Sequence, residues 1–441
     1  MAIKHRLRLG AVAALGAGAL VLSGCAGGLG GGGGTQPTAP EGGAEGAPIK
    51  IGYVSPQTGA LAEFGAADDY VIGVMNDYYA EHPIVTSDGV SHAVEIIVKD
   101  AQSDSNTAAS VTSELILQDG VDIVLAQGTP DMTNPAANTC EANQVLCISS
   151  NAPWQAYYFG RGATPDTPFK YTYHFFWGLE DLEANYTAIW DAVAPDAASV
   201  GLLLPNDPDG NAWADPATGF PPYIESIGKS VTFPGMYENI NPDFSSQIAA
   251  FKAGGNEIVT GVPIPPDFTT FWTQSAQQGF HPTVATIAKA ILFPASVEAL
   301  GPELGHNLST EVWWHPSEPF SSSLTGQSAQ QVADGFEAET GQQWTQPIGF
   351  VEALFEVATK VLETSPSMSA EDMAATVAKL KMDTVVGPID WTTGPVANVA
   401  KTVVTGGQWR ANGDGTYELV IVVNPEYPEV PLGGTPEPIT W

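Results

Sequence analysis

An α/β chain of two similar units, each a mostly parallel sheet flanked by helices, is predicted by three observations. Short apolar runs alternate with amphipathic stretches from Ile49 onward, the connections between them are short, and the alternation restarts near Val200 after an irregular middle. Parallel sheets of this kind bind ligands at the carboxyl ends of their strands.

In the first unit, Ile49 to Val54 reads as a strand, and Gly65 to Tyr79 carries Tyr70, Ile72, Val74, Met75 and Tyr78 at helical spacing. Ala93 to Val98 is a second strand, Ala108 to Leu117 a helix, and Val121 to Ala126 a third strand; Pro135 to Ala142 and Leu146 to Ser149 continue the series. In the second unit, Val200 to Leu204, Val231 to Phe233 and Ile258 to Thr260 read as strands, with helices around Tyr223 to Ile227, Phe244 to Phe251 and Phe268 to Gln277. Ala329 to Thr340 and Gly349 to Leu362 are long amphipathic stretches, and Thr416 to Val423 has strand character. Residues 48–441 suffice for two lobes of roughly 200 residues each.

Composition narrows the function. Against 49 Asp+Glu stand 15 Lys+Arg, a formal net charge of -34, which repels a phosphate backbone and excludes nucleic acid as a partner. With 44% hydrophobic residues and 11 Trp, the chain has material for a large core and is not an acidic disordered tail. Three Cys and seven His without HExxH spacing give no zinc site. There is no Gly-x-Ser-x-Gly elbow, no P-loop and no GxGxxG after the first strand, so no enzyme, cofactor or metal is expected.

The N-terminus reads as an export signal. Lys4, Arg6 and Arg8 precede an apolar run from Leu9 to Leu22 that is too short to span a bilayer comfortably. The run ends in Leu22-Ser23-Gly24-Cys25, which resembles the bacterial lipobox and implies a signal peptide over 1–24 and lipidation of Cys25. Residues 25–48 then form a Gly-rich tether, holding an extracytoplasmic domain on the membrane. Of the 15 basic residues, Lys4, Arg6 and Arg8 leave with the signal, so 12 remain and each is conspicuous. In an oxidising compartment Cys140 and Cys147, seven positions apart, are expected to form a local disulfide.

Five segments in order carry a resemblance. They are Lys50-Ile51-Gly52-Tyr53-Val54-Ser55-Pro56-Gln57-Thr58-Gly59, Ala62-Glu63-Phe64-Gly65, Val98-Lys99-Asp100-Ala101-Gln102-Ser103-Asp104, Pro242-Asp243-Phe244-Ser245, and Asp383-Thr384-Val385-Val386-Gly387-Pro388-Ile389-Asp390-Trp391. From about Ile49 to about Asp414 the chain resembles the branched-chain amino-acid binding proteins, the type I periplasmic solute-binding components of ABC importers. The resemblance implies two α/β lobes joined by three crossovers, lobe one over 49–178 plus 315–390 and lobe two over 179–314 plus 391–441. It implies a small-molecule ligand held between the lobes, clamshell closure, ABC permease subunits as partners and a monomer. A ligand-sensing module of the same fold, acting without transport, is the alternative.

The same resemblance places the ligand carboxylate near Thr129, Pro130 and Asp131 and at Ser149, Ser150 and Asn151, although such residues also close turns on their own backbone. Phe64 matches an aromatic beside the ligand, or is a core residue opening a helix. In lobe two the matching positions are Asp209, Ile264 and Lys289, where the family's ammonium-neutralising acid has become a lysine. Set among Val284, Ile287, Ile291 and Leu292, a buried Lys289 needs a counter-charge. An acidic ligand, Asp209 or Glu180 are the candidates, and an exposed lysine on a helix is the plain alternative. Trp154, Tyr157, Tyr158, Trp213 and the run Trp313-Trp314-His315 either line the cleft or pack lobe on lobe.

Overall fold

The computed structural model describes residues 44–441. The signal peptide, Cys25 and most of the tether lie outside the described residues.

Two sheets organise the molecule. The first has six strands in the order Val399–Ala400, Thr172–Phe175, Leu146–Ser149, Ile123–Ala126, Ile49–Ser55, Val94–Asp100, all parallel. The second has seven, in the order Tyr417–Val423, Thr405–Ala411, Ser309–Val312, Val284–Ile287, Ile258–Gly261, Ser199–Leu203, Ser230–Thr232, with the two C-terminal strands antiparallel. Inner strands such as Ile123–Ala126 and Ile258–Gly261 are buried throughout, which is why they read as unbroken apolar runs rather than alternating ones.

The chain passes between the sheets three times: after Thr172–Phe175, after Ser309–Val312 and after Val399–Ala400. The last passage corrects the expected boundary. Residues 391–441 were all assigned to lobe two, yet Val399 and Ala400 pair with His174 and Phe175 in the first sheet. A two-residue strand leaves no periodicity to detect.

The irregular middle also proves ordered. Thr172–Phe175 is a strand and Leu179–Val193 a helix of 15 residues. The run from Tyr171 to Trp177 is buried on both faces and so lacks alternation, while Asp181, Glu183 and Asn185 are buried polar positions that break the helical apolar stripe. Helix Pro130–Asn143 begins earlier than the pattern suggests, with Thr129 as its N-cap and Pro130 at the first helical position.

Cys140 and Cys147 are both buried and free, which corrects the expected disulfide. Burial, and then the neighbouring Cys147, pushes the Cys140 thiol well above the ordinary range. Thiol oxidation proceeds through the thiolate, which this apolar setting between helix and strand suppresses.

Candidate functional site

The lobes meet in a closed cleft. Helices Pro130–Asn143 and Trp154–Tyr158 of the first lobe pack against Pro208–Trp213 of the second. Phe64 meets Phe293 edge to face with centroids 5.0 Å apart, and Ser296 donates to Glu63 Oε2 at 2.5 Å. Between the lobes lies a small cavity of about 30 Å³, lined from the first lobe by Phe64, Thr129, Asn151 and Pro153 and from the second by Asp209, Trp213, Val262, Lys289, Leu292 and Glu311. Phe176, Trp177 and Trp313, on the first two crossovers, complete the wall.

In the first lobe a buried network fixes the wall. Tyr53 donates to Asp68 Oδ1 at 2.7 Å, Ser55 also donates to Asp68, and Gln127 Nε2 donates to the Phe64 carbonyl at 2.8 Å. Asn151 Nδ2 donates to Gln127 Oε1 at 2.9 Å. Asn151 follows the strand Leu146–Ser149 in the left-handed region, φ 69°, a conformation asparagine tolerates better than most residues. Burial pushes Asp68 up to about 7, against its hydrogen bonds from Ser55 and Tyr53.

In the second lobe the lysine finds its counter-charge within the protein. Lys289 is 4% exposed, and its Nζ donates to Asp207 Oδ2 and Asp209 Oδ2, each at 2.9 Å. Its backbone N–H donates to Glu311 Oε1 at 3.1 Å, from a left-handed φ of 64°. Asp207 caps helix Pro208–Trp213 by accepting from the Gly210 N–H at 2.8 Å, and it also accepts from Asn239 Nδ2 at 3.1 Å. Burial opposes its ionisation, but Lys289 and the Gly210 N–H hold Asp207 below its ordinary value. Burial instead pushes Asp209 up to about 7 despite Lys289. Glu311 is raised by burial although Tyr186 donates to it at 2.8 Å.

Of the positions named from sequence, Phe64, Thr129, Asn151, Asp209 and Lys289 line the cavity. The others do not. Ser149 Oγ bonds His174 Nδ1 at 2.9 Å and Ser150 Oγ donates to the Phe175 carbonyl at 2.6 Å, so both hydroxyls are committed to the neighbouring strand. Pro130 opens its helix, Ile264 is the N-cap residue of helix Pro265–Gln277, and Val262 takes the place at the wall expected of Ile264. Asp131 accepts from Thr129 Oγ1 at 3.3 Å; burial raises it while the Lys289 charge pulls it down. Glu180 serves the hinge: it accepts from Trp154 Nε1 at 3.0 Å and Gln155 Nε2 at 2.5 Å and pairs with Lys401 of the third crossover at 3.1 Å. Lys401 also bonds Asp181.

Among the aromatics, Trp213 and Trp313 reach the cavity, whereas Tyr157 stacks on His174, Tyr158 donates to the Thr164 carbonyl and Trp314 donates to the Val385 carbonyl. Sequence reasoning missed Phe176, Trp177 and Glu311. Their only signal was position, at the end of a sheet strand or just beyond it. Four polar atoms of lining residues, the Nε1 of Trp177, Trp213 and Trp313 and the Oδ1 of Asn151, make no hydrogen bond within the described residues. Groups of three or more metal-ligating side chains are absent among the described residues, and no helix there is long and apolar enough to cross a membrane.

The fold has solved counterparts. The leucine-binding protein LivK of Thermotoga maritima is 17% identical with a TM-score of 0.67, over 86% of this chain and 99% of that one. The branched-chain amino-acid transporter substrate-binding protein LivJ of Streptococcus pneumoniae, solved with isoleucine, is 16% identical with a TM-score of 0.66, over 85% and 99%. An ABC-transporter solute-binding protein of Rhodopseudomonas palustris, solved with dihydroxybenzoic acid, is 16% identical with a TM-score of 0.65, over 85% and 96%. No curated protein matches the chain. The family model described as periplasmic binding protein matches residues 48–414, most of the chain. Two lobes built on mostly parallel sheets, three crossovers and an interlobe cavity agree with that match. The chain belongs to the periplasmic binding protein family, whose members are extracytoplasmic solute-binding proteins and not enzymes.

Proposed function

We propose that this protein is the solute-binding component of an ABC importer, capturing an amino acid or a related small carboxylate or amide and delivering it to permease subunits. It acts as a monomer, anchored through a lipid on Cys25, with residues 1–24 removed and 25–48 as the tether. The observation that carries this reading is the cavity lined by both lobes: a ligand touching both walls stabilises the closed arrangement because only there does it gain both sets of contacts.

Size and charge refine the ligand. The space between the walls is about 30 Å³, room for about two waters, so a ligand of this class enters by parting the lobes. Its one lining cation, Lys289, is already paired, while Asp209 and Glu311 also line it. A molecule bringing an ammonium or amide donor suits this acidic wall better than a dianion. Phe64, Trp213, Val262 and Leu292 supply an apolar surface for its body. The relatives solved with isoleucine and with dihydroxybenzoic acid show that this fold accommodates both ligand shapes.

A thermal-shift screen of amino acids, amides, short-chain diacids and aromatic acids tests the reading. Ligand at a hundred times Kd stabilises by about 2.7 kcal/mol. Absence of any shift at millimolar concentration across the panel would refute this ligand class.

A further inference from the structure

We infer that the two crossover tryptophans, Trp177 and Trp313, form a specificity subsite that reads a second polar group of the ligand, a carbonyl or carboxylate oxygen. The inference rests on the proposed solute-binding reading and adds to it a ligand feature that Asp209 and Lys289 do not address.

The argument begins with the unmet hydrogen bonds. Buried polar atoms nearly always find partners. Within one cavity wall three indole N–H donors and one amide acceptor find none. Donors outnumber acceptors, so a molecule that completes this set brings acceptor oxygens. Indole offers only a donor, so neither tryptophan can satisfy the other.

Position then selects two of the three. Trp177 follows strand Thr172–Phe175 and Trp313 follows strand Ser309–Val312, so each sits on a segment joining the lobes. They flank one ring: Phe176 lies 4.7 Å from Trp177 and 5.2 Å from Trp313, and Trp313 packs edge to face on Phe350 at 5.0 Å. The Trp313 backbone is fixed as well, its N–H donating to Gln346 Oε1 at 2.8 Å while Gln346 Nε2 donates to the Glu311 carbonyl at 3.1 Å. Two rigid donors around an aromatic floor form a prearranged receptor for an oxygen, and such a site rejects an analogue lacking that oxygen because its donors are then left unpaired.

Matched ligand pairs test this, each pair exchanging a terminal amide for an isopropyl group of the same shape: glutamine against homoleucine, glutaramate against its isopropyl-ended isostere, and para-carbamoylbenzoate against para-isopropylbenzoate. Affinities are measured by calorimetry on the wild-type protein and on Trp177→Phe and Trp313→Phe, which keep the apolar wall and remove the donor. We expect the wild type to favour the amide member of whichever pair binds by about tenfold or more. In each variant that preference should fall to within about threefold. Equal affinity for both members in the wild type overturns the subsite directly, without reference to how the variants fold. An undiminished preference in both folded variants overturns it too. Binding of no member of any pair overturns the small carboxylate or amide reading itself, and the subsite with it.

Discussion

Lys289→Met removes a buried cation at nearly constant side-chain length, and its cost follows from the groups left behind. Asp207 is 6% exposed and Asp209 2%, so neither regains much water when Lys289 goes. Breaking a buried ion pair by deleting one partner costs about 3–5 kcal/mol. Two features set the value near the lower end. Asp207 keeps the Gly210 N–H at 2.8 Å and the Asn239 amide at 3.1 Å. Asp209, already pushed up to about 7 by burial, can take a proton. We expect a loss of about 3 kcal/mol at about pH 8 and a smaller loss at about pH 5, where Asp209 is neutral in both proteins. Adding Asp209→Asn should recover roughly 1 kcal/mol of the deficit, a coupling expected of direct contacts. Urea denaturation of the single and double variants measures all three quantities. A loss below about 1 kcal/mol, or one that does not shrink toward acid, would show that the ion pair is not the buried element described.

Three further outcomes are expected. Asp68, Asp181, Asp209 and Glu356 are each pushed up to about 7, burial being the largest cause. Folded values above unfolded ones mean that their stabilising contribution is full below about pH 4 and is lost as pH rises through about 7, so urea unfolding should give higher stability at about pH 5 than at about pH 8; a flat or rising profile would contradict the assignment. Ser296→Ala deletes the interlobe bond to Glu63 and should weaken ligand affinity roughly three- to tenfold by disfavouring the closed state, with little change in the melting of the unliganded protein; calorimetry showing unchanged affinity would remove that bond from the closure mechanism. Cys25→Ala should release the protein from membrane pellets into the soluble fraction, and persistence in the pellet would count against a lipid anchor.

Which parts of the molecule could be read in advance follows from how the residues are used. Strands buried on both faces, such as Ile123–Ala126, appear as plain apolar runs, and helices with one wet face keep their period. Thr172–Phe175 and Leu179–Val193 escaped because the first lies in an aromatic run without alternation and the second buries Asp181, Glu183 and Asn185. At the site, the apolar neighbours of Lys289 pointed to burial, with an exposed lysine as the alternative, but not to which acid it would meet. Asp209 was among the candidates; Asp207 was not, because a residue in the turn Asn206-Asp207-Pro208 looks like a cap, which it also is. Ser149 and Asn151 stand two residues apart with opposite fates. The serine is still inside the strand and bonds its neighbour, whereas the asparagine has left the sheet and turned into the cavity wall. Glu180 was drawn to the hinge by Lys401, more than two hundred positions later in the chain, a distance over which local pattern carries no information.

That hinge pairing bears on how the lobes can move. Glu180 and Asp181 stand just beyond the first crossover and Lys401 on the third, so two of the three connecting segments are clasped side by side. Three parallel tethers, two of them pinned together, bend easily in one direction but resist torsion, because twisting would shear the clasp. If the lobes part as the proposed solute-binding role requires, we expect this clasp to confine opening to a single rotational axis. Lys401 is 32% exposed, so salt reaches the clasp. Raising ionic strength should widen the angular spread of the open form while leaving the buried Lys289 centre untouched.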